Sequence, residues 1–173
     1  MKIILSSILG IFLFFTNQAF SEQKIAFIDM NKLISTSKPG SSILKQLTDL
    51  NNKNLKFFKN EEKKFQEKET KLISQKNIIS ENDFKNNVNE LKSEIKNYNL
   101  NRNKMLADFN QLKIDNTNKL LKLINLILVK FSNDKEIAII LQKKYLVVAK
   151  TQLDITDEVI KIINLEVKEF KIK

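Results

Sequence analysis

"SKPGSS", Ser37 to Ser42, holds the only proline of the 173-residue chain and one of its two glycines, the other being Gly10 near the N-terminus. Ahead of it lies "KIAFIDMNKLIST", a short apolar run followed by a few helix-compatible residues. Behind it, some ninety residues contain almost nothing that stops a helix. Gly and Pro are the strongest local punctuation a chain has, so this stretch marks the place where a compact piece hands over to a very long one.

Upstream, Ile25 to Ile28 in "KIAFID" is an apolar run too short for a helix and suited to a buried strand. Downstream, Ile43, Leu44, Leu47, Leu50, Phe57, Phe65 and Leu72 recur at helical spacing. Leu50 to Leu72 is 22 residues, two repeats of eleven, a period that leaves a helix nearly straight or slightly right-handed beside its partner. A turn must follow, because "QKNIISENDF" carries a start signal: Ser80 as N-cap, Asp83 as its acidic partner, and Ile79 placed to staple onto Phe84. From Glu81 onward Phe84, Val88, Leu91, Ile95, Tyr98, Met105, Phe109 and Leu112 step by four and three. Arg102 stands at the skipped position, so this is a heptad seam with one polar exception.

Each helix is apolar on one side only and needs a partner, and the short turn supplies an antiparallel one. The ascending helix, from Gly40 to about Lys76, reaches on the order of 55 Å at 1.5 Å per residue. Next, "LLKLINLILVKF" (Leu120 to Phe131) is apolar almost all round and requires more than one neighbour. "EIAIIL" (Glu136 to Leu141) and "YLVVA" (Tyr145 to Ala149) read as a strand pair joined by a tight turn. "LDITDEVIKIIN" reads as a closing helix with Thr156 as cap, Asp157 and Glu158 at its positive end, and Ile155, Val159, Ile162 and Ile163 as its apolar face.

The predicted fold is α+β and predominantly α. A small discontinuous body (residues 22–39 and 132–173) carries a helical hairpin (residues 40–131) with its tip near 76–82. So small a body encloses little apolar volume while the helix base stays oily, and self-association is the simplest remedy. The alternative is a monomer whose hairpin folds back over its own body.

"MKIILSSILGIFLFFTNQAFS", residues 1–21, reads as a cleavable secretory signal: Lys2 is the basic n-region, Ile3 to Phe15 the apolar stretch, and Ala19 and Ser21 the small residues at the cleavage point. Its thirteen largely apolar residues fall short of the roughly 20 that cross a bilayer as a helix. An uncleaved anchor is the competing view. With this segment and its one lysine set aside, 29 basic residues face 20 acidic ones, a formal charge of +9. That excess suits anionic partners such as a membrane surface, nucleic acid or acidic protein segments. It equally suits a compositional bias toward Lys, Asn and Ile. Arg102 is the only arginine, and forked contacts to bases and phosphates favour arginine, which argues against specific nucleic-acid recognition.

Catalysis is poorly supplied. There is no histidine and no cysteine, which excludes Ser–His–Asp chemistry, thiol nucleophiles, disulfides and nearly all zinc sites. Ser-x-x-Lys spacings at Ser35/Lys38, Ser42/Lys45 and Ser93/Lys96 are expected by chance in so lysine-rich a chain. No Gly-rich phosphate loop exists, so neither a cofactor nor ATP has a visible seat.

With these residues in view, "KIAFIDMNKLISTSKPG" and "YLVVAKTQLDITDEVIKIIN" resemble the opening and close of the Skp/OmpH family of periplasmic outer-membrane-protein chaperones. The most specific parts are "DITDEVI" and "KIAFID". The resemblance implies a non-enzymatic, ATP-independent holdase in the periplasm: a homotrimer whose strands form a central body and whose hairpins enclose unfolded outer-membrane proteins. It implies that Ile25, Phe27, Ile28, Ile137, Ile139, Leu146 and Val148 build the trimer body. The hairpin from Lys53 to Lys113, with 14 basic and 9 acidic residues, would be the holding surface through Phe57, Phe58, Phe65, Lys63, Lys64 and Ile78. Phe57, Phe58 and Phe65 do not all fit one narrow seam, so at least one is expected to face outward. Two other roles remain open at the level of sequence: a coiled-coil envelope tether, and a non-specific binder of anionic surfaces or polymers such as lipopolysaccharide or nucleic acid.

Overall fold

The computed structural model describes residues 23–173; the signal read over residues 1–21 lies outside them. In chain order the elements are β1 (Lys24–Ile28), α1 (Met30–Thr36), α2 (Lys38–Gln75), α3 (Glu81–Asp134), β2 (Ile137–Gln142) and α4 (Thr156–Glu166). Short 3-10 turns occupy Lys143–Tyr145 and Thr151–Leu153. At 1.5 Å per residue α2 is about 57 Å long and α3 about 81 Å, far more than the body spans.

The joint at "SKPGSS" is built atom by atom. Ser37 ends α1 with its amide on the Leu33 carbonyl (3.1 Å) and begins α2, where its hydroxyl accepts from the Gly40 amide at 3.3 Å. Pro39 sits in the first turn of α2, where a missing N–H costs nothing. Gly40 is required by proximity: a Cβ there would lie 1.9 Å from the Ile34 carbonyl oxygen. The Lys38 amide then donates to the Asn164 side chain at 2.7 Å, tying the root of the arm to α4. At the far end, Ser80 caps α3 by accepting from the Asp83 amide at 3.1 Å.

β1 and β2 pair in parallel, Ile25 opposite Ile139 and Phe27 opposite Leu141, so the whole hairpin is the crossover between them. Glu136, at φ 55°, takes the left-handed turn that swings the chain from α3 into β2. The core beneath combines Ile28, Leu33, Leu120, Ile124, Val159 and Ile163, all essentially fully buried. One side of the oily base of α3 is thereby covered, while Leu126 and Val129 remain exposed on the other.

Two expectations are corrected. "YLVVA" is no strand: the turn at Lys143–Tyr145 leads the chain away from β2, leaving Val147 99% and Val148 89% exposed. Consecutive apolar residues point to opposite faces of a strand and need cover on both. Among the described residues no second layer provides it, and the other edge of β1 is already engaged where the Ile155 amide donates to the Phe27 carbonyl at 3.0 Å. Nor is Thr156 the cap of α4. Ile155 holds that position, because the Thr156 hydroxyl is used across the fold, accepting from the Asp29 amide at 2.9 Å and donating to the Asp154 carboxylate. Asp154 also accepts from the Thr156 amide at 2.9 Å, and Lys143 lies between Asp29 and Asp154.

Candidate binding surface of the arm

Between α2 and α3 the seam follows the expected heptads on α3 except at Ile95, which is 36% exposed while its neighbour Glu94 is half-buried. On α2, Ile43, Leu47 and Phe58 are buried and Leu50, Asn51, Asn54, Phe65 and Leu72 half-buried, with Phe57 displaced outward. At mid-arm Phe58 is only 3% exposed. Tyr98 meets it edge-on at 6.4 Å and meets Phe65 at 5.3 Å, while the Arg102 guanidinium lies 5.4 Å from the Phe58 ring centre. The Tyr98 hydroxyl donates to Glu62 at 2.9 Å, and Arg102 stands 4.0 Å from the same carboxylate. Burial first, and then the Glu62 carboxylate that receives its proton, hold the Tyr98 phenol above its ordinary value. Arg102 is therefore a polar pin in the seam, the kind of residue that fixes the register of paired helices. Phe58, expected on the holding surface, instead fills the joint between the two helices, and Phe65 is half-buried beside it.

Of the other residues expected to hold a partner, Phe57 is half exposed and Ile78, at the tip, is 80% exposed. Lys63 and Lys64 are exposed but engaged along their own helix, 3.7 Å from Glu67 and 2.6 Å from Glu61. The structure brings Phe57, Phe58 and Phe65 together and leaves Ile78 far from them.

The sequence reasoning missed a second pattern. At roughly 100° per residue, Lys85, Lys92, Lys96, Leu100, Ala107 and Ile114 fall in one sector of α3 about 80° wide. Asp83, Glu90, Glu94, Asp108 and Asp115 fall in another, about 60° wide, on the opposite flank of the seam. On α2, Leu44, Leu55 and Ile73 lie within about 20° of one another. In an antiparallel pair the flanks of like rotation share a side, so the arm has two unlike sides. One is basic and apolar on α3, with Leu55, Ile73, Leu100 and Ile114 all exposed, while its α2 sector also carries Lys59, Glu62 and Glu69. The other is acidic on α3 and is balanced by α2, where Lys68 donates to Glu94 at 2.7 Å beside Phe57 and Lys64. Among the described residues, Lys85, Lys92 and Lys96 form no ion pair. The signal was present in the sequence as Leu100, Ala107, Ile114 and Leu121, a second seven-residue repeat offset from the seam.

On the body, Phe27 and Ile28 serve the chain's own core, and Ile137 and Leu146 are half-buried. Ile25, Ile139, Leu141 and Tyr145 stay exposed beside Val147 and Val148. No group of metal-ligating side chains occurs among the described residues. No described helix is long and apolar enough to cross a membrane.

No curated relative matches the sequence. Among solved structures, the chain is similar to an outer membrane chaperone (OmpH-like) from Caulobacter crescentus CB15, with a TM-score of 0.79 at 11% identity, over 86% of this chain and 88% of that one. At that identity the likeness concerns the fold alone. Residues 24–163 match the family model described as outer membrane protein (OmpH-like). That match takes in β1, both long helices and most of α4, and by it the chain belongs to the OmpH-like family.

Proposed function

We propose that the chain is a chaperone of the periplasm that holds unfolded outer-membrane proteins without nucleotide, and that three copies assemble through the body. The observation that carries this reading is the basic, apolar side of the arm. It offers unpaired lysines interleaved with exposed aliphatic residues over a long rod. Such a surface makes many weak contacts with a disordered chain and can bind it without ordering it. Release needs only that the client find a better-packed state elsewhere. Self-association is supported by the exposed Ile139, Leu141, Tyr145, Val147 and Val148, next to a β2 edge that has no partner among the described residues.

The experiment is a turbidity assay with a urea-diluted outer-membrane protein, run with mass determination of the native complex. Suppressed aggregation at about one trimer per client supports the reading; aggregation at the unassisted rate refutes it. A second reading, binding to anionic surfaces such as lipopolysaccharide, draws on the same lysines. It predicts tight retention on anionic vesicles without protection of the client.

A further inference from the structure

Beyond α4 the chain continues through Val167–Lys173 without regular secondary structure and lies across the root of the arm. The Gln46 side chain, on α2, meets it as another peptide unit would: its amide nitrogen donates to the Phe170 carbonyl at 3.1 Å, and its oxygen accepts from the Ile172 amide at 3.2 Å. On α3, Asn116 is 5% exposed and donates to the Lys173 carbonyl at 3.5 Å while also holding the Leu112 carbonyl at 2.7 Å. Phe170 and Ile172 turn in against the core, with the Lys119 ammonium 4.2 Å from the centre of the Phe170 ring. Glu169, Lys171 and Lys173 stay in solvent.

Each hydrogen bond in this contact goes to a main-chain atom of the tail, and the side chains that matter are two apolar residues at i and i+2. That is the way a sheet edge accepts a strand: the main chain supplies affinity and alternate side chains fill the pockets. The tail has no regular secondary structure of its own, and its two inward side chains are only half-buried, so little holds it against the entropy of release.

We propose that the groove between Gln46 and Asn116 is a peptide-binding site for an extended segment with apolar residues at alternate positions, kept closed by Val167–Lys173 until such a segment displaces them. The proposal deepens the holding function above, on which its biological occupant rests, because alternating apolar residues are what an unfolded barrel strand presents. Lys119 over the aromatic pocket gives that pocket a preference for Phe or Tyr over an aliphatic residue.

The test uses the full chain carrying Phe170→Ser and Ile172→Ser, and a fluorescent synthetic peptide of sequence EVKEFKIK read by anisotropy. The double variant is expected to bind the peptide at least tenfold more tightly than the unaltered chain. Adding Gln46→Ala is expected to cancel that gain, and a peptide with Ser at the two apolar positions is expected not to bind. Equal affinity of the double variant and the unaltered chain, or a gain that survives Gln46→Ala, overturns the proposal. Hydrogen exchange on the unaltered chain serves if the variant loses its helical signal. Excess peptide is expected to speed exchange of the Ile172 amide at least threefold, and an unchanged rate overturns the site. Peptide binding as expected, in a chain that does not suppress client aggregation, upholds the groove while removing the holding function.

Discussion

Phe57 and Phe58 are adjacent in sequence and differ in everything else, so replacing each with alanine tests the description of the arm. Phe58 is 3% exposed and Phe57 46%. Removing a buried phenylalanine side chain forfeits about 1.5–3 kcal/mol of transfer free energy. The edge-on contact with Tyr98 adds about 0.5–1.5 kcal/mol, and Arg102 over the ring about 0.5–1 kcal/mol. These contributions overlap, and in a rod two helices wide the vacated space opens to water instead of remaining a cavity. Phe58→Ala is therefore expected to cost roughly 3 kcal/mol and Phe57→Ala about 1 kcal/mol or less. The loss should be local to mid-arm, so the suitable assay is native-state hydrogen exchange of the amides around Phe58 and Tyr98, with urea unfolding followed at 222 nm as the global control. Equal costs for the two substitutions, or a Phe58→Ala cost below about 1 kcal/mol, would refute the seam as described and restore Phe58 to the outer surface.

Other consequences concern the body. Gly40→Ala forces a methyl onto the Ile34 carbonyl, 1.9 Å away, and is expected to lower stability by about 3 kcal/mol or more, read as a fall in the urea midpoint. For Asp154, burial pushes the carboxyl up, but the Thr156 hydroxyl and amide, with Lys143 and Lys32, together hold it below its ordinary 3.8. A depressed carboxyl contributes stability that is complete above its unfolded-state value and lost as pH falls through its folded-state value. Stability should therefore decline with acid below pH 3.8, and Asp154→Asn should flatten that part of the profile in a pH series of urea midpoints. Replacing Val147 and Val148 with aspartate is expected to leave the helical signal unchanged while sedimentation shows single chains; an intact oligomer would place the contact between copies elsewhere.

Local chemistry made much of this legible. The Ser80 cap, the turn at the tip, the handover at "SKPGSS" and the α3 heptads apart from Ile95 each depend on residues within one or two turns of each other, and the structure has them where the sequence predicts. On α2 the spacing of eleven is legible from Leu50 to Leu72, but the residue expected at the seam in mid-arm is Phe57. Stepping eleven from Leu47 reaches Phe58, and only the partner helix, with Tyr98 and Arg102 at that level, decides between two neighbouring phenylalanines. "YLVVA" has the composition of a strand, yet a strand exists only where another edge accepts it. Thr156 has the chemistry of a cap, but the Asp29 amide, 127 residues away in sequence, takes its hydroxyl. The basic, apolar side of the arm was hidden because net charge sums over both flanks, and the acids of one flank mask the lysines of the other.

The central claim is that an unfolded client lies against the side of the arm bearing Leu55, Leu100 and Ile114, away from the side bearing Glu90 and Asp108. The most direct measurement places a photo-activated cross-linking residue at each of these five positions in turn. It then compares the yield of cross-linked, urea-diluted outer-membrane protein. High yield at Leu55, Leu100 and Ile114 with little at Glu90 and Asp108 is the predicted result; equal yield on both sides, or the reverse order, contradicts the account.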